Sequence, residues 1–251
     1  MHDIADRLEV TLRAAGTAHR AEGEKAYLRS DLDFTGTLVS DVRAAVKRLD
    51  AGLALDHDRL MALVEALWSK PVFERRLAAI QFLQRHPRML SATDLPLIER
   101  LVRESRTWAL VDYLAVDVLG RLLTAAPGPM RAAMDRWATD EDFWVRRSSL
   151  LCELRAIRTG ESLHRFGGRA DLMLDEREFF IRKAIGWVLR EAGKRRPHEV
   201  VAWLETRTHR ASGVTMREAV KYLAPDDRDR LMLAYREKRP AARAPAGSSA
   251  V

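Results

Sequence analysis

The sequence predicts an all-α protein, a HEAT-like helical-repeat solenoid with a concave basic groove. Apolar residues recur at helical spacing through nearly the whole chain. Alternating runs rich in valine, isoleucine and threonine, and the Asn-Gly or Asp-Gly turns of hairpins, are missing. Prolines and capping residues separate the periodic runs at intervals that suit helix pairs.

Taken in order, Leu60, Leu63, Val64 and Leu67 form a first clear stripe. Leu110, Val111, Leu114, Ala115, Val118, Leu119 and Leu122 form a longer one with steps of three and four. Ile181, Ile185, Val188 and Leu189 form another, with Phe179 and Phe180 ahead of them on the buried side. Ser91-Ala92-Thr93-Asp94 and Thr215-Met216-Arg217-Glu218 read as capping boxes. Pro71, Pro87, Pro127, Pro197 and Pro225 lie between runs, where proline ends one helix or opens the next. A helix pair then recurs at very roughly 35 to 40 residues, the period of stacked pairs that bury their apolar faces against neighbours. The pattern also fits a compact helical bundle. A curved stack exposes a long groove that suits a rod-shaped ligand better than a small metabolite.

The 251 residues fit one helical domain over 1–235, followed by a tail over 236–251 rich in alanine, proline and basic residues and expected to be disordered. Formal charge is +7 and pI about 9.9, which favours a polyanionic partner. The tail supplies +3 of that charge. The segment Asp142–Arg196 holds thirteen Arg/Lys against eight Asp/Glu, so the excess also sits among the aromatic motifs. No apolar run approaches the roughly 20 residues that cross a bilayer. Met1–Glu9 is polar and contains acids, unlike a signal or transit peptide. A soluble, cytoplasmic, monomeric protein with no membrane partner is expected. Cys152 is the single cysteine and lies in an apolar run, so neither a disulfide nor a thiolate metal cluster is expected. The histidines show no metal-ligand spacing, and no glycine-rich phosphate loop or nucleophile elbow occurs. Neither a metal nor a cofactor is expected.

The candidate chemistry rests on few side chains. Trp108 and Asp112 lie four apart, on one helix face beside an apolar stripe. An aspartate there needs a cationic partner or an exposed cleft. Spacing alone also fits a solvated aspartate next to a core tryptophan. Arg147, but not the adjacent Arg146 about 100° away, can share a face with Asp112, brace it and grip a phosphate. Arg155, eight positions on, extends the same face. Lys183, Trp187 and Arg190 share a face of a later helix. On pattern alone Trp187 also reads as core, and Trp68, Trp137, Trp144 and Trp203 are assigned to packing.

Four stretches carry a family resemblance: Tyr27-Leu28-Arg29-Ser30-Asp31, Thr107-Trp108-Ala109-Leu110-Val111-Asp112, Asp142-Phe143-Trp144-Val145-Arg146-Arg147 and Glu178-Phe179-Phe180-Ile181-Arg182-Lys183-Ala184-Ile185-Gly186-Trp187. In wording and order they resemble the AlkD-like DNA alkylation repair family, glycosylases that excise alkylated purines, from about Tyr27 to Leu223. The resemblance implies that Trp108, Asp112, Arg147 and Trp187 frame the lesion, that Tyr27 lies near the groove, and that Arg155 stands near the DNA backbone. Lys183 and Arg190 are added as backbone contacts. Ala109 stands where the family frequently carries an acid, and the Asp31–Ser40 loop looks variable.

The implied partner is double-stranded DNA containing alkylated bases. Alkylation at N3 or N7 charges a purine and weakens its glycosidic bond. The base then leaves neutral without a general acid, while positive charge develops on the sugar. A carboxylate beside that sugar stabilises this charge and orients water. Ring faces favour a cationic base. The family is understood to leave the lesion stacked in the duplex. Two rivals are a non-catalytic module of the same fold that binds damaged or branched DNA, and a protein-binding scaffold.

Overall fold

The computed structural model describes residues 1–237, so the expected tail lies, from residue 238 on, outside the described residues. The chain divides into two compact units, Met1–Arg155 and the part from Ala156 on. The first contains α1 (His2–Ala15), α2 (Ala18–Leu28), α3 (Val39–Asp50), α4 (His57–Trp68) and α5 (Phe73–Arg85). A 3-10 turn (Ala92–Asp94) leads into α6 (Leu95–Ser105). Next come α7 (Trp108–Tyr113), a π segment (Leu114–Leu119), α8 (Gly120–Ala125), α9 (Pro127–Trp137) and α10 (Phe143–Leu151). After α11 (Leu154–Arg158), the second unit holds α12 (His164–Met173), α13 (Phe179–Gly193) and α14 (Pro197–Glu205). It ends with α15 (Gly213–Ala219), a 3-10 turn (Val220–Tyr222) and α16 (Pro225–Glu237). Extended pairing among the described residues amounts to one bridge, Asp33 to Val72. None of these helices is long and apolar enough to cross a membrane.

The all-α expectation holds, and the predicted stripes are the core. Leu60, Leu63, Val64 and Leu67 are buried, as are the seven residues from Leu110 to Leu122 and the four from Ile181 to Leu189. Each such leucine, isoleucine or valine contributes about 1.5–3 kcal/mol on leaving water. Pro127, Pro197 and Pro225 each open a helix, where the missing N–H has no partner to lose.

The repeat is visible in polar contacts as well. Arg85–Asp50, Arg100–Glu65, Arg147–Asp112, Lys183–Glu218 and Arg210–Asp175 are all pairs separated by 35 positions. The ring N–H groups of Trp68 and Trp137 reach Glu104 and Glu99, 36 and 38 positions away. One helix pair therefore faces the next with a nearly constant sequence offset, as stacked repeats require.

Two local expectations need correction. The Thr215-Met216-Arg217-Glu218 capping box is not formed. Ser212 is the N-cap of α15, accepting from the Thr215 N–H at 3.1 Å, and Thr215 Oγ1 instead donates to the Arg182 carbonyl at 3.1 Å. The Ser91–Asp94 box is present but opens the 3-10 turn ahead of α6. The stripe from Leu110 also departs from a plain α-helix. Its apolar pairs recur every four residues, and in an α-helix each such step drifts by about 40°. The π segment advances less per residue and keeps Leu114, Ala115, Val118 and Leu119 facing one way.

The Asp31–Ser40 loop is firmly anchored. Leu32, Phe34, Thr35 and Thr37 are buried, and Thr37 Oγ1 donates to the Leu12 carbonyl at 2.6 Å. The Glu74 carboxylate accepts from the Thr35, Gly36 and Thr37 N–H groups at 2.9, 2.7 and 3.2 Å. Gly36 has φ +73°, and a Cβ there would lie 2.2 Å from the Thr17 carbonyl oxygen, so only glycine fits.

Arg75, also fully buried, joins α1 to α4 and α5. Its guanidinium donates to Asp6 and Glu9, each at 2.7 Å, and to the carbonyls of Ala66 and Leu67 at the end of α4. Hydrogen bonds from Lys70 and Arg75 hold the Asp6 carboxyl at a pKa of about 2.

His57, at the start of α4, lies 3.1 Å from Asp58 and 2.8 Å from Asp94 of the capping box. Hydrogen bonds to Asp58 and Asp94 raise its pKa. Its contribution to stability is therefore fully present below about pH 6.5, the unfolded value, and is lost as pH rises through the folded value. Thermal unfolding should show a melting-temperature gap between wild type and His57→Gln that is largest near pH 6 and shrinks by pH 8.5. A gap that widens with pH would refute the linkage.

Candidate active site

Asp112 and Arg147 meet as a pair within the first unit. Thr107 caps α7, placing Trp108 at its first position and Asp112 one turn later. Asp142 caps α10, its carboxylate accepting from the Trp144 N–H at 2.8 Å, which places Arg147 in the following turn. Arg147 Nε and Nη2 donate to Asp112 Oδ1 and Oδ2, both at 2.8 Å. This side-on fork is the strongest geometry available to such a pair. Arg147 is 3% exposed and Asp112 17%, so the carboxylate stays reachable while its brace is buried. Arg146 turns away, donating to the carbonyls of Asp140 and Glu141 at 2.6 and 2.9 Å.

Trp108 is half-buried on the same helix face as Asp112. Tyr27, at the end of α2, is 74% exposed. Its ring meets Trp108 edge to face, with centroids 6.2 Å apart and planes at 83°. Arg155 is exposed on α11, and its Cβ lies 3.4 Å from the Cβ position of Gly120.

An accessible carboxylate, a buried guanidinium and an aromatic pair are thus assembled in the order of the family motifs. Residues 8–223 match the DNA alkylation repair enzyme family. The chain belongs to that family. The resemblance read from the four motifs is therefore borne out. No curated protein matches the chain. A solved structure described as a predicted DNA alkylation repair enzyme from Enterococcus faecalis aligns with TM-score 0.76 and 23% identity, covering 84% of this chain and 97% of that one. The alkylpurine DNA glycosylase AlkC of Pseudomonas fluorescens, bound to DNA containing an abasic-site analogue, aligns with TM-score 0.53 and 15% identity. That alignment covers 92% of this chain and 66% of AlkC. At these identities the likeness is one of fold, the helical-repeat architecture.

The remaining candidate residues, Lys183, Trp187 and Arg190, lie on α13 of the second unit. Trp187 is half-buried, and Lys183 and Arg190 both bond to Glu218 of α15. The expectation that Phe179 and Phe180 supply the buried side of α13 is corrected. Phe179 is 53% exposed and Phe180 half-buried, because both lie in the first turn, ahead of where α15 covers the helix. Ile181 is buried as expected.

Among the tryptophans assigned to packing, Trp68, Trp137 and Trp144 are buried and Trp203 half-buried under Arg207, whose guanidinium lies 4.7 Å above its ring. Cys152 is fully buried, its thiol 3.3 Å from the Ser149 carbonyl.

Sequence reasoning missed Glu218 and the contact between Tyr27 and Trp108. The 35-residue offset would have found the first, since it pairs Lys183 with Glu218 as it pairs Asp112 with Arg147. No local signal joins Tyr27 to Trp108.

Proposed function

We propose that this chain is a DNA glycosylase that hydrolyses the N-glycosidic bond of cationic N3- or N7-alkylated purines in duplex DNA, acting as a monomer in the cytoplasm. The observation that carries this reading is the Asp112 carboxylate, gripped from behind by a buried arginine and left open beside Trp108. Its negative charge stabilises the oxocarbenium character that grows on the sugar as the C1′–N bond breaks. The bonding pair leaves with the base, which becomes neutral. Water, oriented by Asp112, adds to C1′ and gives up its proton, leaving an abasic sugar.

Arg147 orients the carboxylate through Nε and Nη2, and its positive charge also serves a nearby phosphate. The indole of Trp108 meets the charged nucleotide with a cation–π attraction of roughly 0.5–2 kcal/mol, and the half-buried Trp187 of α13 offers a second ring face of that kind. That preference discriminates against neutral purines. Tyr27 supports Trp108 through the edge-to-face contact. Arg155, Lys183 and Arg190 contact phosphates.

Release of free base from methylated duplex, with none from undamaged duplex, is the expected result. Binding should weaken with salt, with a logarithmic slope of about −0.9 for each phosphate contacted. Salt-sensitive binding without base release would leave the non-catalytic DNA-binding reading standing. Negligible, salt-insensitive affinity would favour a protein-binding scaffold.

A further inference from the structure

Lys183, Trp187 and Arg190 occupy one face of α13, at spacings of four and three. The two cations converge on a single anion, the carboxylate of Glu218. Lys183 Nζ donates to Oε1 at 2.5 Å, and Arg190 Nη1 donates to Oε2. Arg190 Nε also lies 3.9 Å from Glu191 Oε1, but that carboxylate already accepts from Lys194 at 2.8 Å and Arg158 at 3.3 Å. Glu218 reaches the pair because α15 crosses α13 at Gly186. A Cβ there would stand 2.7 Å from the Glu218 Cβ and 3.2 Å from the Thr215 Cα and carbonyl oxygen. The glycine of the Ile-Gly-Trp motif thus admits a carboxylate between two basic residues on the helix that carries Trp187.

The Glu218 side chain is mostly buried, while the Lys183 side chain is 41% exposed, so the pair can be reached from solvent. Burial alone would raise the Glu218 pKa. The Lys183 hydrogen bond and the charge of Arg190 outweigh it and lower it, so the occupant is an anion.

A phosphodiester presents two non-bridging oxygens on one atom, the same arrangement that the carboxylate offers here. We propose that Lys183 and Arg190 form a backbone-phosphate site whose resident occupant in the free protein is Glu218, and that a DNA phosphate must displace this carboxylate to bind. The inference rests on the DNA-binding part of the reading above. Glu218 then acts as a brake: it cancels one positive charge beside Trp187 and lowers affinity for any duplex that lacks further contacts. This restrains non-specific binding without altering the chemistry at Asp112.

The test is fluorescence anisotropy with an undamaged duplex across a potassium chloride series, which needs no base release. Glu218→Gln keeps the side-chain shape and one acceptor. It should bind several-fold tighter than wild type at low salt, with the logarithmic salt slope steeper by about one. Adding Lys183→Gln to that variant should remove both gains. Lys183→Gln alone should weaken binding and flatten the slope, a readout that stands even if the Glu218 variant does not fold. Unchanged or weaker binding by Glu218→Gln, or no binding by any of the proteins, overturns the proposal. Glycosylase activity on methylated DNA is scored separately, so the brake and the enzyme reading fail independently.

Discussion

Replacing Asp112 with asparagine is expected to abolish base release while leaving duplex binding within a few-fold of wild type. The substitution removes the negative charge and keeps nearly the same shape, so the loss reads on charge stabilisation. Removing one such electrostatic group costs on the order of 10²–10³ in rate, or about 2.7–4 kcal/mol. A second effect acts in the same direction. Arg147 donates through two nitrogens, Nε and Nη2, to the two carboxylate oxygens. An amide offers one acceptor and turns a donor toward the other nitrogen, so the buried guanidinium loses a partner. That should destabilise the protein by about 1–3 kcal/mol. Melting temperature must therefore be measured beside base release, at a temperature where the variant is folded. A folded Asp112→Asn protein that releases base at the wild-type rate would remove Asp112 from the chemistry. A folded variant that no longer binds DNA would show that the pair serves binding instead.

How much of this was legible depends on the length scale of the signal. The helical stripes are local, and every one singled out is buried in the structure, because 3.6-residue periodicity and burial are the same physical fact. The pairing of Asp112 with Arg147 was reachable only through the face argument that set Arg147 apart from Arg146. The regular offset behind it went unused, although Asp50, Glu65, Asp112 and Asp175 each have an arginine 35 positions later. The π segment was hidden because steps of four fit an α-helix over one turn and fail only over several. Phe179 was misplaced because an aromatic at the head of a stripe reads as core until the covering helix is known. Tyr27 and Trp108, 81 positions apart in the sequence, touch only through tertiary packing.

That packing gives a single buried carboxylate unusual reach. None of the side chains of α2 is fully buried, so the helix carrying Tyr27 gains little from the core. Its tertiary contacts include that of Tyr27 with Trp108. Arg20 of α2 donates to the Gly36 carbonyl at 3.1 Å, and the loop around Gly36 hangs on Glu74 by three N–H groups. Glu74→Gln should therefore act on α2 as well as on global stability. The glutamine carbonyl can serve Gly36 and Thr37, but its amide nitrogen then faces the Thr35 N–H, two donors in a site that is 0% exposed. An unsatisfied buried donor and the lost charge-assisted bond together cost about 2–3 kcal/mol. For a chain of this size that lowers the melting temperature by roughly 4–12 °C. Hydrogen exchange should show α2 and residues 33–37 opening before the rest of the first unit. Base release should fall less than in Asp112→Asn, because Asp112 and Arg147 stay paired while only the support behind Trp108 loosens. A melting temperature within 1–2 °C of wild type, with α2 as protected as before, would mean that the loop is held by its buried Leu32 and Phe34 side chains and that Glu74 contributes little.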